Sequence, residues 1–405
     1  MPEKRALVLG GGVAGATVAV ALAEAGVAVT LAEKDDYLGG HAALLACKAL
    51  GDCQKCNGCL TEPRLAALGR DSRVEVLRRC QATAMKRAGT RFSAKLTQRP
   101  AYINPARCSG CGLCLERCPA SGDGALRRPL VLGDPPPLAI DPGVCLFFRD
   151  GRSALCRDIC PEEAIDFGLS AREMERTVEA VVLATGFRPY PAEEKQRLGY
   201  GSVPNVVTAL ELEVMLRERG RPTRPSDGQM PRRVAFIQCV GSRDRLGHNY
   251  CSRVCCGYAL RLGRTLKQRH GAEVSVFHMD LQGFNNAAQP DLENIGRELN
   301  LVRSMPYDVL AAEGGQVYLE YQASSGAPPV RKFFDLVVLS IGITPNLDNL
   351  QLAGLWDVAM DDHGFLLPAP GVFVAGTAGR PLDVAETVAA AGRTALEAAR
   401  YMEAL

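Results

Sequence analysis

The chain has 405 residues, 47% of them hydrophobic and 23% charged, enough for two or three domains with a sizeable core. A formal net charge of +2 gives no electrostatic reason to expect nucleic acid or an acidic surface as a partner. The opening MPEKRALVLGGG runs into a glycine loop without a signal-peptide pattern, and no run approaches the ~18 apolar residues of a membrane span, so a cytoplasmic protein is expected.

At the start, RALVLGGGVAGATVAVALAEAGVAVTLAEKD reads as strand, glycine turn, helix and second strand. Gly10, Gly12 and Gly15 satisfy G-x-G-x-x-G, with Val13 and Ala14 opening the helix and Glu33 and Lys34 closing the second strand. Gly10 permits the tight turn, Gly12 lets a pyrophosphate approach the backbone, and Gly15 lets helix and strand pack closely. Glu33 then accepts the ribose hydroxyls. This is a dinucleotide site.

Sixteen cysteines are the compositional anomaly. In a reducing compartment their expected use is metal or redox chemistry rather than disulfides. Only Cys80 stands apart from the groups, and it reads as an ordinary buried thiol. The first group follows LGGH, which carries Gly40 and His41. It is CKALGDCQKCNGCLTEPR, whose Cys47, Cys53, Cys56 and Cys59 suggest a metal cluster, with a zinc site or a thiol pair as alternatives.

Residues 101–168 are rich in Pro and Cys, contain the turn-forming LGDPPPLAIDPG, and read as a small inserted domain. Within them CSGCGLCLERCP is C-x2-C-x2-C-x3-C-P, the run that ligates 4Fe–4S cubanes in bacterial ferredoxins, rather than a zinc motif. A second run, CLFFRDGRSALCRDICP, has Ser153 where the x2 spacing would place a cysteine before Cys156. In a two-cluster arrangement Cys160 joins Cys108, Cys111 and Cys114 on one cluster, leaving Cys118, Cys145 and Cys156 for another. The fourth ligand of that second centre stays open. Ser153 oxygen, a three-iron 3Fe-4S cluster and a labile cubane are the alternatives.

Strand patterns resume at VEAVVLATGF (178–187) and recur at RVAFI (233–237), EVSVFH (273–278), QVYLEY (316–321) and DLVVLSI (335–341). Between them SRVCCGYALRLGRTLKQRH reads as a helix starting at about Cys255, which suggests a second α/β unit nested in the first. ATGFRP, with Thr185 and Gly186, and GVFVAGTAG, with Gly376 and Thr377, resemble the later strand–turn motifs of two-dinucleotide-fold flavoproteins such as thioredoxin reductase. That resemblance implies FAD in the first unit, with Thr377 standing where those proteins carry an acidic residue. The strand RVAFIQ leads into CVGSRD instead of a second glycine loop. No nicotinamide site is expected there.

In chain order come the FAD fingerprint, EKDDYLGGH, a cysteine-rich segment ending in C-x2-C-L-x2-P-R, the ferredoxin insert, and the pair QCVGSRD and YCSRVCC. This order resembles the flavin-binding HdrA-like component of heterodisulfide reductase and its bacterial relatives over nearly the whole chain. The resemblance implies that Cys239, Cys251, Cys255 and Cys256 ligate a 4Fe–4S cluster beside the flavin. It also implies a cation near the flavin N5, for which the family has lysine and this chain has Arg261. Arginine keeps the charge, but its planar fork is not equivalent to an ammonium, so electron transfer is better supported than electron bifurcation.

The expected architecture is α/β, with two nested Rossmann-like dinucleotide-binding domains of the thioredoxin reductase-like type and an inserted ferredoxin-like domain. FAD-binding parts fall at 1–100, at 169–230 together with a linker, and at 346–405, the insert at 101–168, and the second, cluster-bearing Rossmann-like domain at 231–345. The expected function is that of an FAD and 4Fe-4S electron-transfer subunit, an oxidoreductase with two to four clusters. Its implied partners are heterodisulfide reductase B- and C-like subunits and an electron-donor adaptor, with a homodimer inside the larger complex as one arrangement. A quinone-linked electron-transfer protein, a self-contained NAD(P)H-dependent flavoenzyme and a scaffold stabilised by its clusters are the rival readings.

Overall fold

The computed structural model describes residues 4–127, 138–245, 247–284 and 288–405; the start of LGDPPPLAIDPG, through Pro137, and Leu246 lie outside the described residues. Short apolar strands need cover on both faces, and RALVL, AVTLA and AVVL are buried along nearly their whole length. They build a five-stranded parallel sheet in the order Val372–Val374, Ala180–Leu183, Arg5–Leu9, Ala28–Ala32, Val74–Leu77. One face is covered by the glycine-loop helix Val13–Glu24 and the last helix Val384–Glu403, through Ala16, Leu22, Ala391 and Ala398. The other face packs on Phe92, Leu96 and Trp356. Phe92 and Leu96 belong to an antiparallel layer of Cys80–Ala88, Arg91–Gln98 and Arg172–Val178.

The second parallel sheet has the order Val206–Thr208, Leu336–Ile341, Arg233–Val240, Glu273–Phe277, Asn300–Val302. Helices Ala209–Arg219 and Cys255–His270 cover one face. A meander of Asp308–Ala311, Val317–Gln322 and Pro329–Phe334 covers the other. QVYLEY therefore belongs to this antiparallel cover and not to the parallel sheet. The chain leaves the first sheet after Ala180–Leu183 and returns before Val372–Val374, and the two crossings pair as Arg188–Pro189 against Ile343–Thr344. The fold is two nested Rossmann-like units.

The cysteine-rich insert hangs between Arg91–Gln98 and Arg172–Val178, two strands that pair with each other. A bridge from Ile103 to Ile165 closes its neck. Its core combines Ile103, Ile140 and Phe167 with the thiols of Cys114, Cys145 and Cys156, a core small enough to need a metal staple. The cysteines are free of disulfides. Among the described residues no helix is long and apolar enough to cross a membrane.

Candidate functional site

A cavity of about 660 Å3 opens where strands of both parallel sheets end. Its wall carries Gly10, Gly12, Val13 and Ala14 from the glycine loop, Glu33 and Lys34 beyond the second strand, Gly40, His41, Thr185, Gly186 and Thr377. Arg253, Val254, Gly257, Tyr258 and Arg261 of the second unit line the same cavity. The size and the position at the carboxyl ends of strands suit a dinucleotide. Gly15 and Gly376 stand behind the wall. A Cβ on Gly15 would strike the Gly10 carbonyl oxygen, and one on Gly376 would lie 2.6 Å from Ala14 Cβ. Both glycines therefore let the helix and loops close up.

Glu33 Oε2 accepts from Gly11 N at 2.6 Å and its Oε1 accepts from Asp35 N at 2.8 Å, which fastens the glycine loop. Burial pushes its carboxyl above the usual range, against the pull of those two donors. Each oxygen keeps a lone pair for a further hydroxyl donor. His41 Nε2 donates to Phe187 O at 3.0 Å, which leaves Nδ1 a buried acceptor with no partner. Burial lowers the His41 pKa, which favours the neutral ring. Thr185 Oγ1 is likewise buried and unpartnered. Orphaned polar atoms on a cavity wall are what a missing polar ligand leaves behind. The wall fits FAD.

Sequence motifs do not single out Asp383 and Glu386, yet both line the cavity. They form a reciprocal capping box at the start of the last helix, so D-V-A-E was the readable signal. Cys80 also lines the cavity, and burial pushes its thiol up to about 11.

In the insert, one small cavity is lined by Cys108, Cys111, Cys114 and Cys160, and another by Cys118, Cys145, Cys156 and Ser153. Burial raises the Cys114 pKa, and Cys108, Cys111 and Cys160 add to the shift as like charges. Cys156 is pushed up to about 11 by burial and then by Cys145 and Cys118. Thiols that raise one another's pKa are held close together, and a bound cation reverses the sign and takes them as thiolates. Among the described residues no three His, Cys, Asp or Glu side chains converge on one ion position. The insert thiols surround voids instead.

Cys239 has a left-handed backbone, φ 58, at the bulge where its strand slips register against Leu336–Ile341. The helix begins at Cys255, so Cys255 and Cys256 share its first turn. Burial pushes Cys239 up to about 11, with Cys256 and Cys251 adding to it, and raises Cys255 further, with Cys256, Cys239 and Cys251 adding. The backbone N–H groups of Arg253 and Gln282 donate to Sγ of Cys251 and Cys256 at 3.3 and 3.4 Å. Gln238, fully buried beside Cys239, leaves both side-chain polar atoms without a partner. These four thiols and their donors fit an iron–sulfur cluster. In the first cysteine group, Cys47, Cys53 and Cys59 are exposed and Cys56 is half-buried; of the four, Cys56 alone lines the large cavity.

Comparison with known proteins agrees with this chemistry. Residues 5–110 match the FAD dependent oxidoreductase family and residues 101–121 match the 4Fe-4S binding domain family. The HdrA-type component of ferredoxin:CoB-CoM heterodisulfide reductase from Methanosarcina mazei is 30% identical, over 96% of this chain and 52% of that protein. Its counterpart in the H(2):CoB-CoM heterodisulfide,ferredoxin reductase of Methanothermobacter thermautotrophicus is 31% identical, over 98% of this chain and 64% of that protein. This chain is a relative of the HdrA-type components of heterodisulfide reductase. It spans 52% and 64% of the length of these two relatives. Thioredoxin reductase of Lactococcus lactis shares the fold, with a TM-score of 0.54, 13% identity and 100% of each chain covered. The enzyme of T. acidophilum has a TM-score of 0.53 at 13% identity, with 99% of each chain covered.

Proposed function

We propose that this chain is an FAD and iron–sulfur electron-transfer subunit of a heterodisulfide-reductase-like oxidoreductase complex. The observation that carries the reading is a shared wall. The cavity lined by Gly10, Gly12 and Glu33 is also lined by Arg253, Val254 and Gly257, which flank the double cysteine. FAD supplies the exchange between two-electron and one-electron chemistry, and the protein supplies placement and tuning. The glycine loop and Glu33 hold the dinucleotide, and His41 and Thr185 offer polar contacts. Cys239, Cys251, Cys255 and Cys256 hold the cluster beside it. Cys108, Cys111, Cys114 and Cys160 hold one cluster of the insert, and Cys118, Cys145 and Cys156 hold another. A further centre at Cys47, Cys53, Cys56 and Cys59 completes the set. The partners are B- and C-like subunits and an electron-donor adaptor, and the terminal acceptor is a heterodisulfide like that named for the relatives.

A test separates this reading from a self-contained NAD(P)H flavoenzyme. The second unit has Cys239-Val240-Gly241-Ser242 where such an enzyme needs a glycine loop, and the Tyr190 ring packs directly on Gly241. Dithionite is expected to bleach both flavin and clusters in the purified chain, whereas NADH and NADPH leave the flavin oxidised. Rapid bleaching by NADH alone would favour the flavoenzyme.

Ser153 offers a second check, because it lines the void with Cys118, Cys145 and Cys156. Ser153→Cys is expected to turn a three-iron or labile centre into a stable cubane, raising iron per protein by about one atom. Iron assay and EPR before and after decide it. An unchanged spectrum removes Ser153 from the metal.

A further inference from the structure

The cavity wall contains a buried lysine that no motif marks. The side chains of Lys48 and Glu213 are 2% and 4% exposed, with Nζ 2.6 Å from Oε1. Both residues line the cavity. Lys48 Nζ also donates to Ala46 O at 3.1 Å, and Glu213 Oε2 accepts from Ala46 N at 3.0 Å. Glu213 Oε1 receives no directed hydrogen bond, so its link to Lys48 is a charge pair with hydrogen-bonding capacity left over. Lysine is almost never buried this deeply without a partner. A buried pair contributes little net stability, because desolvating both charges offsets their attraction. Folding alone does not explain the pair.

The loop that carries Lys48 is fixed to the second unit by other bonds. Gln54 Nε2 donates to Lys48 O and, at 3.2 Å, to Thr265 Oγ1. Arg261 Nε donates to Gln54 O at 2.7 Å, and Arg269 donates to Cys47 O at 3.4 Å. Arg261, which sequence nominates as the cation at the flavin, thus spends its Nε–H on holding this loop. Glu33 marks the end of the cavity at the first sheet. Glu213 belongs to Ala209–Arg219, a helix packed on the second sheet, so the ion pair lies on the part of the wall that the second unit supplies. A dinucleotide whose ribose is held at Glu33 on the first unit has the wall on the second unit's side, Lys48 and Glu213 included, for its reactive half.

We propose that Lys48, held by Glu213, is the buried cation that faces the redox-active ring of bound FAD, and that Arg261 is a positioning residue for the loop. The inference rests on the FAD site proposed above. A cation at the ring favours the reduced, more negative flavin, and a carboxylate opposes it. The test is the flavin midpoint potential of the full chain against a reference dye, with FAD content measured first. Lys48→Met is expected to weaken reduced relative to oxidised FAD at least tenfold, a fall of about 30 mV for a two-electron couple. Lys48→Arg should restore most of it. Glu213→Gln keeps the cation and removes the opposing charge, so its potential should rise. A merely structural pair would shift both variants in the same direction. Should Lys48→Met fail to fold, as judged by circular dichroism, Glu213→Gln alone decides, and an unchanged or lowered potential overturns the proposal. A fall in Arg261→Gln with none in Lys48→Met also overturns it. A wild-type chain without FAD would instead overturn the proposed function.

Discussion

Gly12→Val is expected to abolish FAD retention while leaving the fold and the iron in place. Gly12 lines the cavity at the start of the glycine-loop helix, and a Cβ there meets no protein atom within 4 Å. The protein therefore has room for a side chain, and only a ligand in the cavity would be struck by it. A pyrophosphate lying on the helix N-terminus needs that space, because its oxygens must reach backbone N–H groups directly. Loss of affinity of roughly a hundredfold or more, about 2.7 kcal/mol, is expected. Gly15→Val is the contrasting variant. Its side chain would collide with the Gly10 carbonyl oxygen, so it should damage the packing and give insoluble protein. Flavin absorbance, iron content and circular dichroism of purified Gly12→Val settle the matter. A full yellow complement in a folded variant would place FAD elsewhere.

The two glycines show what a motif conveys and what it leaves out. G-x-G-x-x-G was readable because turn, helix and strand are local: Gly15 answers the Gly10 carbonyl in the same loop, whereas Gly10 answers Ala184 at the end of a distant strand and Gly12 faces no protein atom. The closeness of Cys160 to Cys108, Cys111 and Cys114, as distinct from what they bind, was readable for a similar reason. Short spacing ties Cys108, Cys111 and Cys114 together, and Cys160 joins them through the two-run arrangement that the ferredoxin pattern implies. The antiparallel layer over the first sheet was not readable. Cys80–Ala88 is mostly exposed, so it lacks the alternation that marks a half-buried strand. The pairing of Lys48 with Glu213 was equally hidden. Burial of a charge depends on which distant helix comes to cover it, and neither residue sits in a recognisable pattern. Asp383 and Glu386 lie between these cases. Their capping box is local and legible, but that the helix starts at the cavity follows only from the folded sheet.

Cys256→Ala is expected to remove about one cluster's iron, about four atoms, while FAD still binds. Adjacent cysteines can serve one cluster only if the backbone turns between them, and the helix start at Cys255 supplies that turn. Cys239 reaches the same place from the neighbouring strand through its left-handed bulge, and Cys239 and Cys255 feel neighbouring thiols of this group as like charges. The helix N-terminus and the N–H donors at Cys251 and Cys256 both favour a negative cluster at this position. Alanine deletes one thiolate and strands the Gln282 N–H that pointed at it, yet the remaining wall of the flavin cavity is untouched. Flavin absorbance should therefore persist as iron falls. Stopped-flow reduction by an electron donor is then expected to show flavin reduction without bleaching of the insert clusters, or the reverse. Unaltered iron and unaltered electron transfer in a folded Cys256→Ala variant would make this stretch a structural loop, and the cluster beside the flavin would have to be sought among the remaining thiols, Cys56 at the cavity wall first.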